Sequence, residues 1–131
     1  MTKAARDVRS LRVLLVENHV DTRLTLTMLL SSLGHQVRGV GSLAEARQAW
    51  VEFDPEVLLS DIGLPDGYGW ELLAGLPEAQ RIFAIAMSGY GMKADCERSL
   101  AAGFRHHLVK PIAVELIESA LDEAVHQVPL R

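Results

Sequence analysis

The chain has 131 residues, with 13 Lys+Arg against 17 Asp+Glu, a formal net charge of −4 with histidine neutral, 49% apolar and 23% charged residues. That length suits one domain with a real core, the apolar content excludes disorder, and the acidic balance disfavours a nucleic-acid scaffold, which relies on clustered Lys and Arg. The single cysteine, Cys96, excludes an intrachain disulfide framework and points to a reducing, cytoplasmic setting.

In chain order, residues 1–10 are polar and locally basic through Lys3, Arg6 and Arg9. They lack the apolar stretch of a secretory signal and read as a flexible tail, with a docking arm as the other reading. No apolar run approaches the roughly 18–20 residues of a spanning helix, so no membrane partner is expected of this chain. Leu11–Val16 is a short apolar run with the pattern of a strand buried on both faces. Asp21–Leu33 reads as a helix: Leu26, Leu29, Leu30 and Leu33 recur at helical spacing, Asp21 suits the N-cap and Gly34 the stop. Gln36–Val40 alternates like a more exposed strand. Ser42-Leu-Ala-Glu45 has the form of a capping box, in which Ser42 accepts an N–H and Glu45 reaches back. The helix it opens carries Ala46, Ala49, Trp50 and Phe53 on one side and ends at Asp54-Pro55.

Glu56–Ser60 is a third strand, ending at Asp61, and a loop dense in Gly and Pro follows it to Gly69. Trp70–Leu76 reads as a short helix, Ile82–Met87 as a fourth strand and Lys93–Ala102 as a helix stopped by Gly103. Arg105–Val109 is a fifth strand, on which the neighbours His106 and His107 point to opposite faces and do not share a metal. The last helix runs from Ile112 to about His126, with Leu116, Ile117, Ala120, Leu121 and Ala124 as its core stripe. Strict alternation of strand and helix predicts an α/β fold, (βα)5, as an open three-layer sandwich around a five-stranded parallel sheet. The globular unit spans 11–126, and 127–131 is a C-terminal tail.

In open parallel sheets, sites form beyond the carboxyl ends of the strands. There the sequence has Glu17-Asn18, Asp61, Ser88 and Lys110. Singly, each has a plain structural reading: an Asp after a strand is most often a turn former or cap, Ser88 starts a turn and Lys110 is solvated. Together they make a rim of hard oxygen donors beside an ammonium. Such a rim suits Mg²⁺ and makes one carboxylate a phosphoryl acceptor. There is no GxxxxGK[ST] or GxGxxG loop, no HExxH or paired CxxC, and no Ser–His–Asp order at the strand ends. Trp50, Trp70 and Phe53 read as packing.

Four ordered segments, Val13–Arg23, Leu58–Gly69, Ala86–Gly91 and His107–Pro111, resemble the receiver domain of bacterial two-component response regulators. The likeness is to receivers of hybrid histidine kinases or to stand-alone ones. It implies a flavodoxin-like fold and the following roles. Asp61 is the phosphoacceptor, taking the group from a phosphohistidine of a histidine kinase or phosphotransfer domain. Glu17, Asn18, Asp61 and the Gly63 carbonyl hold Mg²⁺. Ser88 and Lys110 bond phosphoryl oxygens, and Gly89 leaves the group accessible. Ser88 and position 107 form a switch, and a cis bond joins Lys110 to Pro111. Partners are then the phosphodonor and a downstream protein or fused domain, with no nucleic acid; 131 residues leave no room for an output domain beyond the receiver.

Two positions depart from that family. Asn18 stands where an Asp is usual, which removes one negative charge and implies weaker Mg²⁺ binding; compensation by Asp21 is the lesser reading beside its role as a cap. His107 stands where Tyr or Phe is usual. Gly63 and Tyr90 hold the positions that tune access of water. Asn18 motivates a second reading, a degenerate receiver acting as a phosphorylation-independent interaction module. A third, an aspartate-nucleophile phosphatase, calls for an Asp two positions after the nucleophile, where this chain has Gly63.

Overall fold

The computed structural model describes residues 9–74, 82–89 and 93–129. The five strands are β1 (Arg12–Val16), β2 (Gln36–Val40), β3 (Val57–Asp61), β4 (Phe83–Ser88) and β5 (His106–Val109). They form one sheet in the order β2-β1-β3-β4-β5, and every pairing is parallel. The helices are α1 (Val20–Ser32), α2 (Leu43–Phe53), α3 (Lys93–Ala101) and α4 (Val114–Gln127).

Side chains alternate across a strand, so each face of the sheet collects its own core. Val13, Leu15, Val57, Leu59, Ile85 and Met87 pack with Leu30 of α1 and Ile117, Leu121 and Ala124 of α4. Leu14, Val16, Leu58, Ala84 and Ala86 pack with Leu43, Ala46 and Ala49 of α2 and with Leu72, Leu73 and Phe104. Both faces are covered, which is why β1, β3 and β4 read as continuous apolar runs rather than alternating ones. Edge strand β2 is only partly buried, as its mixed sequence implies.

The predicted alternation of strands and helices holds, with local corrections. α1 begins at Val20 with His19 at its N-cap and no side-chain cap bond, so Asp21 lies in the first turn and does not cap. Ser42 caps α2 by accepting from the Glu45 N–H, but the Glu45 carboxylate reaches the Gly41 N–H at 2.7 Å, one residue before the cap. A second cap comes from outside the helix: Asp66 accepts from the N–H groups of Leu43 and Ala44 at 2.8 and 3.0 Å. Those two bonds hold the Asp66 carboxyl below its ordinary pKa.

The helix expected over 70–76 is, in its described part, a 3₁₀ turn over Gly69–Leu72; residues 75–81 lie outside the described residues. It follows a small hairpin in which Gly63–Leu64 pairs antiparallel with Gly67–Tyr68. Leu116 is 51% exposed and leaves the core stripe of α4, whereas Ile117, Ala120, Leu121 and Ala124 keep to it. At the N-terminus, Arg9 is tied down: its guanidinium donates to the Val125 and Val128 carbonyls at the end of α4 and to Glu56. Residues 1–8 lie outside the described residues.

Candidate functional site

Strand order reverses between β1 and β3, the point at which open α/β sheets bind ligands. The chain direction of a parallel sheet puts all carboxyl ends on one rim. Glu17 follows β1 and is fully buried, its N–H bonded to the Val40 carbonyl at 2.9 Å. Asp61 ends β3 and is 8% exposed. Lys110 follows β5; its N–H donates to the Ser88 carbonyl at 2.7 Å, which stitches the ends of β4 and β5 together. Its side chain then turns across the rim. Nζ donates to Glu17 Oε1 at 2.8 Å and to Asp61 Oδ2 at 2.9 Å. The Lys110–Pro111 bond is cis.

The electrostatics follow from two buried acids sharing one ammonium. Burial pushes the Asp61 pKa up, and the nearby Glu17 charge adds to this; Lys110 only partly offsets them, leaving the group at about 6 against an ordinary 3.8. Burial also opposes ionisation of Glu17, but the Lys110 ammonium and the His19 N–H, which donates to Oε2 at 3.1 Å, outweigh it, and its pKa lies below the usual carboxylate value. Lys110 loses hydration, yet its bonds to the two carboxylates raise its pKa and keep it charged.

Asn18 is exposed beside Glu17, and Gly63 is exposed in the hairpin two residues beyond Asp61. The oxygen donors the chain offers here are the two carboxylates, the amide of Asn18 next to Glu17 and the backbone carbonyl of Gly63 two residues after Asp61. Among the described residues no cluster of three or more His, Cys, Asp or Glu forms a metal site. The set fits a hard cation that keeps much of its own water, the habit of Mg²⁺. It supplies less negative charge than three acids would.

The rim depends on one close approach that sequence reading missed. A Cβ on Gly69 would lie 2.3 Å from the Asp61 carbonyl oxygen and 2.9 Å from Ser60 Oγ. Its N–H donates to the Ile62 carbonyl at 2.7 Å, so the loop folds back against the end of β3. A glycine at the end of a Gly-rich loop was the available signal; the neighbour it touches was not.

His107 and His106 do point to opposite faces. His106 Nε2 meets Glu123 at 2.8 Å. His107 Nε2 lies 2.8 Å from Ser88 Oγ and its Nδ1 lies 2.7 Å from Ser99 Oγ. Trp70, read as packing, donates its indole N–H to the same Ser99 oxygen at 2.8 Å. Tyr90 and Gly91 fall outside the described residues.

With this geometry in view, comparison with known proteins is decisive. The response regulator receiver domain model matches residues 13–122. This chain belongs to the receiver domain family. A 14.6 kDa protein of Leptolyngbya boryana, uncharacterized, is 32% identical over 109 residues, 80% of this chain and 83% of that protein. The virulence sensor protein BvgS of Bordetella pertussis is 30% identical over 129 residues, 92% of this chain, although this chain spans only 10% of the length of BvgS. Among solved structures, the signal receiver domain of a DNA-binding response regulator from Colwellia psychrerythraea superposes with a TM-score of 0.84 at 21% identity, covering 90% of this chain and all of that one. A CheY-like receiver domain from Methylobacillus flagellatus gives 0.77 at 28% identity, covering 88% and 99%. The receiver is thus a signalling domain of two-component systems rather than a conventional enzyme. No helix among its described residues is long and apolar enough to cross a membrane.

Proposed function

We propose that this receiver takes a phosphoryl group onto Asp61 from a phosphohistidine of a histidine kinase or phosphotransfer domain, with Mg²⁺ held by Glu17, Asn18, Asp61 and the Gly63 carbonyl. The observation that carries the reading is Lys110 Nζ, 2.8 Å from Glu17 and 2.9 Å from Asp61 at the switch point of the sheet. The ionised Asp61 oxygen attacks phosphorus, an O–P bond forms and the P–N bond breaks. The electron pair leaves on the donor imidazole, which binds a proton from solvent. Lys110 offsets charge on the transferred oxygens, and the Ser88 hydroxyl donates to one of them. Bound Mg²⁺ would supply further charge neutralisation there. The adduct is an acyl phosphate that water aligned by the same groups later hydrolyses, and repacking around Ser88 and His107 signals the change.

Exposed apolar surface beside the rim supports docking of the donor there. Val20, Leu24 and Met28 form an exposed apolar stripe along α1, which starts three residues after Glu17. A groove of about 530 Å³ lies between α1 and the Lys110–Ile112 turn. A downstream protein, or a domain fused in a longer chain, receives the signal, in a cytoplasmic setting consistent with the free Cys96.

Incubation with acetyl phosphate and Mg²⁺ followed by intact mass tests the proposal. One phosphoryl adduct, absent in Asp61→Asn, is expected. No adduct from acetyl phosphate or from a phosphorylated kinase favours the degenerate receiver that Asn18 suggests. Turnover of generic phosphomonoesters points to a phosphatase instead.

A further inference from the structure

We propose that His107 is a positioning residue that aims the Ser88 hydroxyl at the phosphoryl group on Asp61 and couples that site to Trp70 through Ser99. The inference rests on Asp61 being the phosphoacceptor.

The direction of the chain follows from counting donors. Indole N–H only donates, so Ser99 Oγ accepts from Trp70. Among the described residues, the partner left for the Ser99 hydroxyl proton is His107 Nδ1, at 2.7 Å. Nδ1 therefore accepts, and a neutral imidazole carries its proton on Nε2. That Nε2–H donates to Ser88 Oγ at 2.8 Å. With its oxygen accepting from the ring, Ser88 directs its own proton away from His107.

The other tautomer reverses the order. Nδ1–H would donate to Ser99, Nε2 would accept from Ser88, and the serine proton would be spent on the ring. A phosphoryl group offers only acceptors, so it binds better to the first arrangement than to the second. That difference is what a switch requires. A Phe ring at 107, one of the usual residues of the family, has no nitrogen with which to hold either hydroxyl.

The far end of the relay reaches the surface. Ser99 is fully buried on α3. Trp70 carries the Arg98 guanidinium over its ring at 4.3 Å and stacks on Tyr68 at 5.4 Å. Tyr68 is 54% exposed, so a change at Ser88 is felt at a face a partner can touch.

The chain holds two tryptophans, so the test uses the Trp50→Phe protein, in which emission reports Trp70. Long-range ¹H–¹⁵N spectra read the His107 tautomer, and emission is followed during acetyl phosphate and Mg²⁺ treatment with intact mass on the same sample. The expected results are protonated Nε2 with bare Nδ1, and an emission change that tracks the adduct. In Ser99→Ala and in His107→Phe that change should shrink at least about fivefold per adduct formed, because the hydrogen-bonded chain is cut. Either variant alone suffices if the other fails to fold. A proton on Nδ1, a silent Trp70 in the phosphorylated parent, or a full-size response in the variants overturns the relay. Absence of any adduct in the parent instead overturns the phosphoacceptor reading, and the tautomer spectrum still tests the hydrogen-bond order.

Discussion

As the proposed phosphoacceptor, Asp61 has to be ionised to attack, yet it is buried beside a second carboxylate. Burial raises its folded-state pKa to about 6, so the folded chain holds this proton more tightly than the unfolded chain does. Its contribution therefore favours folding below about pH 4 and is lost as pH rises through 6. An amide at this position carries no charge to bury. Asp61→Asn should be more stable than the parent by about 1–2 kcal/mol at pH 8, with the gain vanishing towards pH 4, as read by urea unfolding at both pH values. Equal stabilities at pH 8 would show that Lys110 fully compensates the charge. Asn18, exposed beside Glu17, sets the other residue-scale expectation. Restoring an acid by Asn18→Asp should tighten Mg²⁺ binding about tenfold, which is ~1.4 kcal/mol, in a calorimetric titration. Unchanged affinity would mean the amide already ligates as well as a carboxylate. Glu17, Asp61, Ser88 and Lys110 were legible in the sequence because each ends a strand, and a parallel sheet brings strand ends together. That Lys110 bonds both acids was not legible, since it depends on how the rim packs.

At the scale of elements, the loop after β3 is more tightly specified than its Gly-rich sequence suggests. Asp66 at its tip caps α2, and Gly69 at its end presses on the Asp61 carbonyl. Neither partner is a sequence neighbour, so capping rules applied along the chain found Ser42 and missed Asp66. Gly69→Ala has to displace the backbone of Asp61, the proposed phosphoacceptor. It should cost about 2 kcal/mol in unfolding free energy and lower the yield of acetyl-phosphate adduct. Parental stability and adduct together would show that the loop yields without cost. The 3₁₀ turn in place of the first turn of a helix belongs to the same loop, where the Tyr68 N–H is bonded to Glu71 and the Trp70 indole to Ser99.

At the scale of the whole molecule, the first and last of the described residues meet. Arg9 donates to the carbonyls of Val125, Val128 and Pro129 and pairs with Glu56, whose side chain is 5% exposed. A cation at a helix C-terminus satisfies carbonyls that have no partner in the helix. Arg9→Ala removes those bonds and one of the two arginine partners of Glu56; Arg12 remains at 3.6 Å. The expected loss is about 1–2 kcal/mol, seen as a Tm lower by several degrees with phosphoryl uptake unchanged. An unchanged Tm would assign the clamp no net value.

Local chemistry and periodicity were enough to predict the alternation of strands and helices, the parallel sheet and the rim where Glu17, Asn18, Asp61, Ser88 and Lys110 gather. Apolar spacing and strand-end position are properties of adjacent residues. Packing was needed for everything that joins distant residues: Lys110 across to Glu17, Gly69 against Asp61, Arg9 onto the last helix, and the run from Ser88 through His107 and Ser99 to Trp70. Those contacts join residues from 8 to 119 positions apart along the chain, and their geometry exists only once both faces of the sheet are covered.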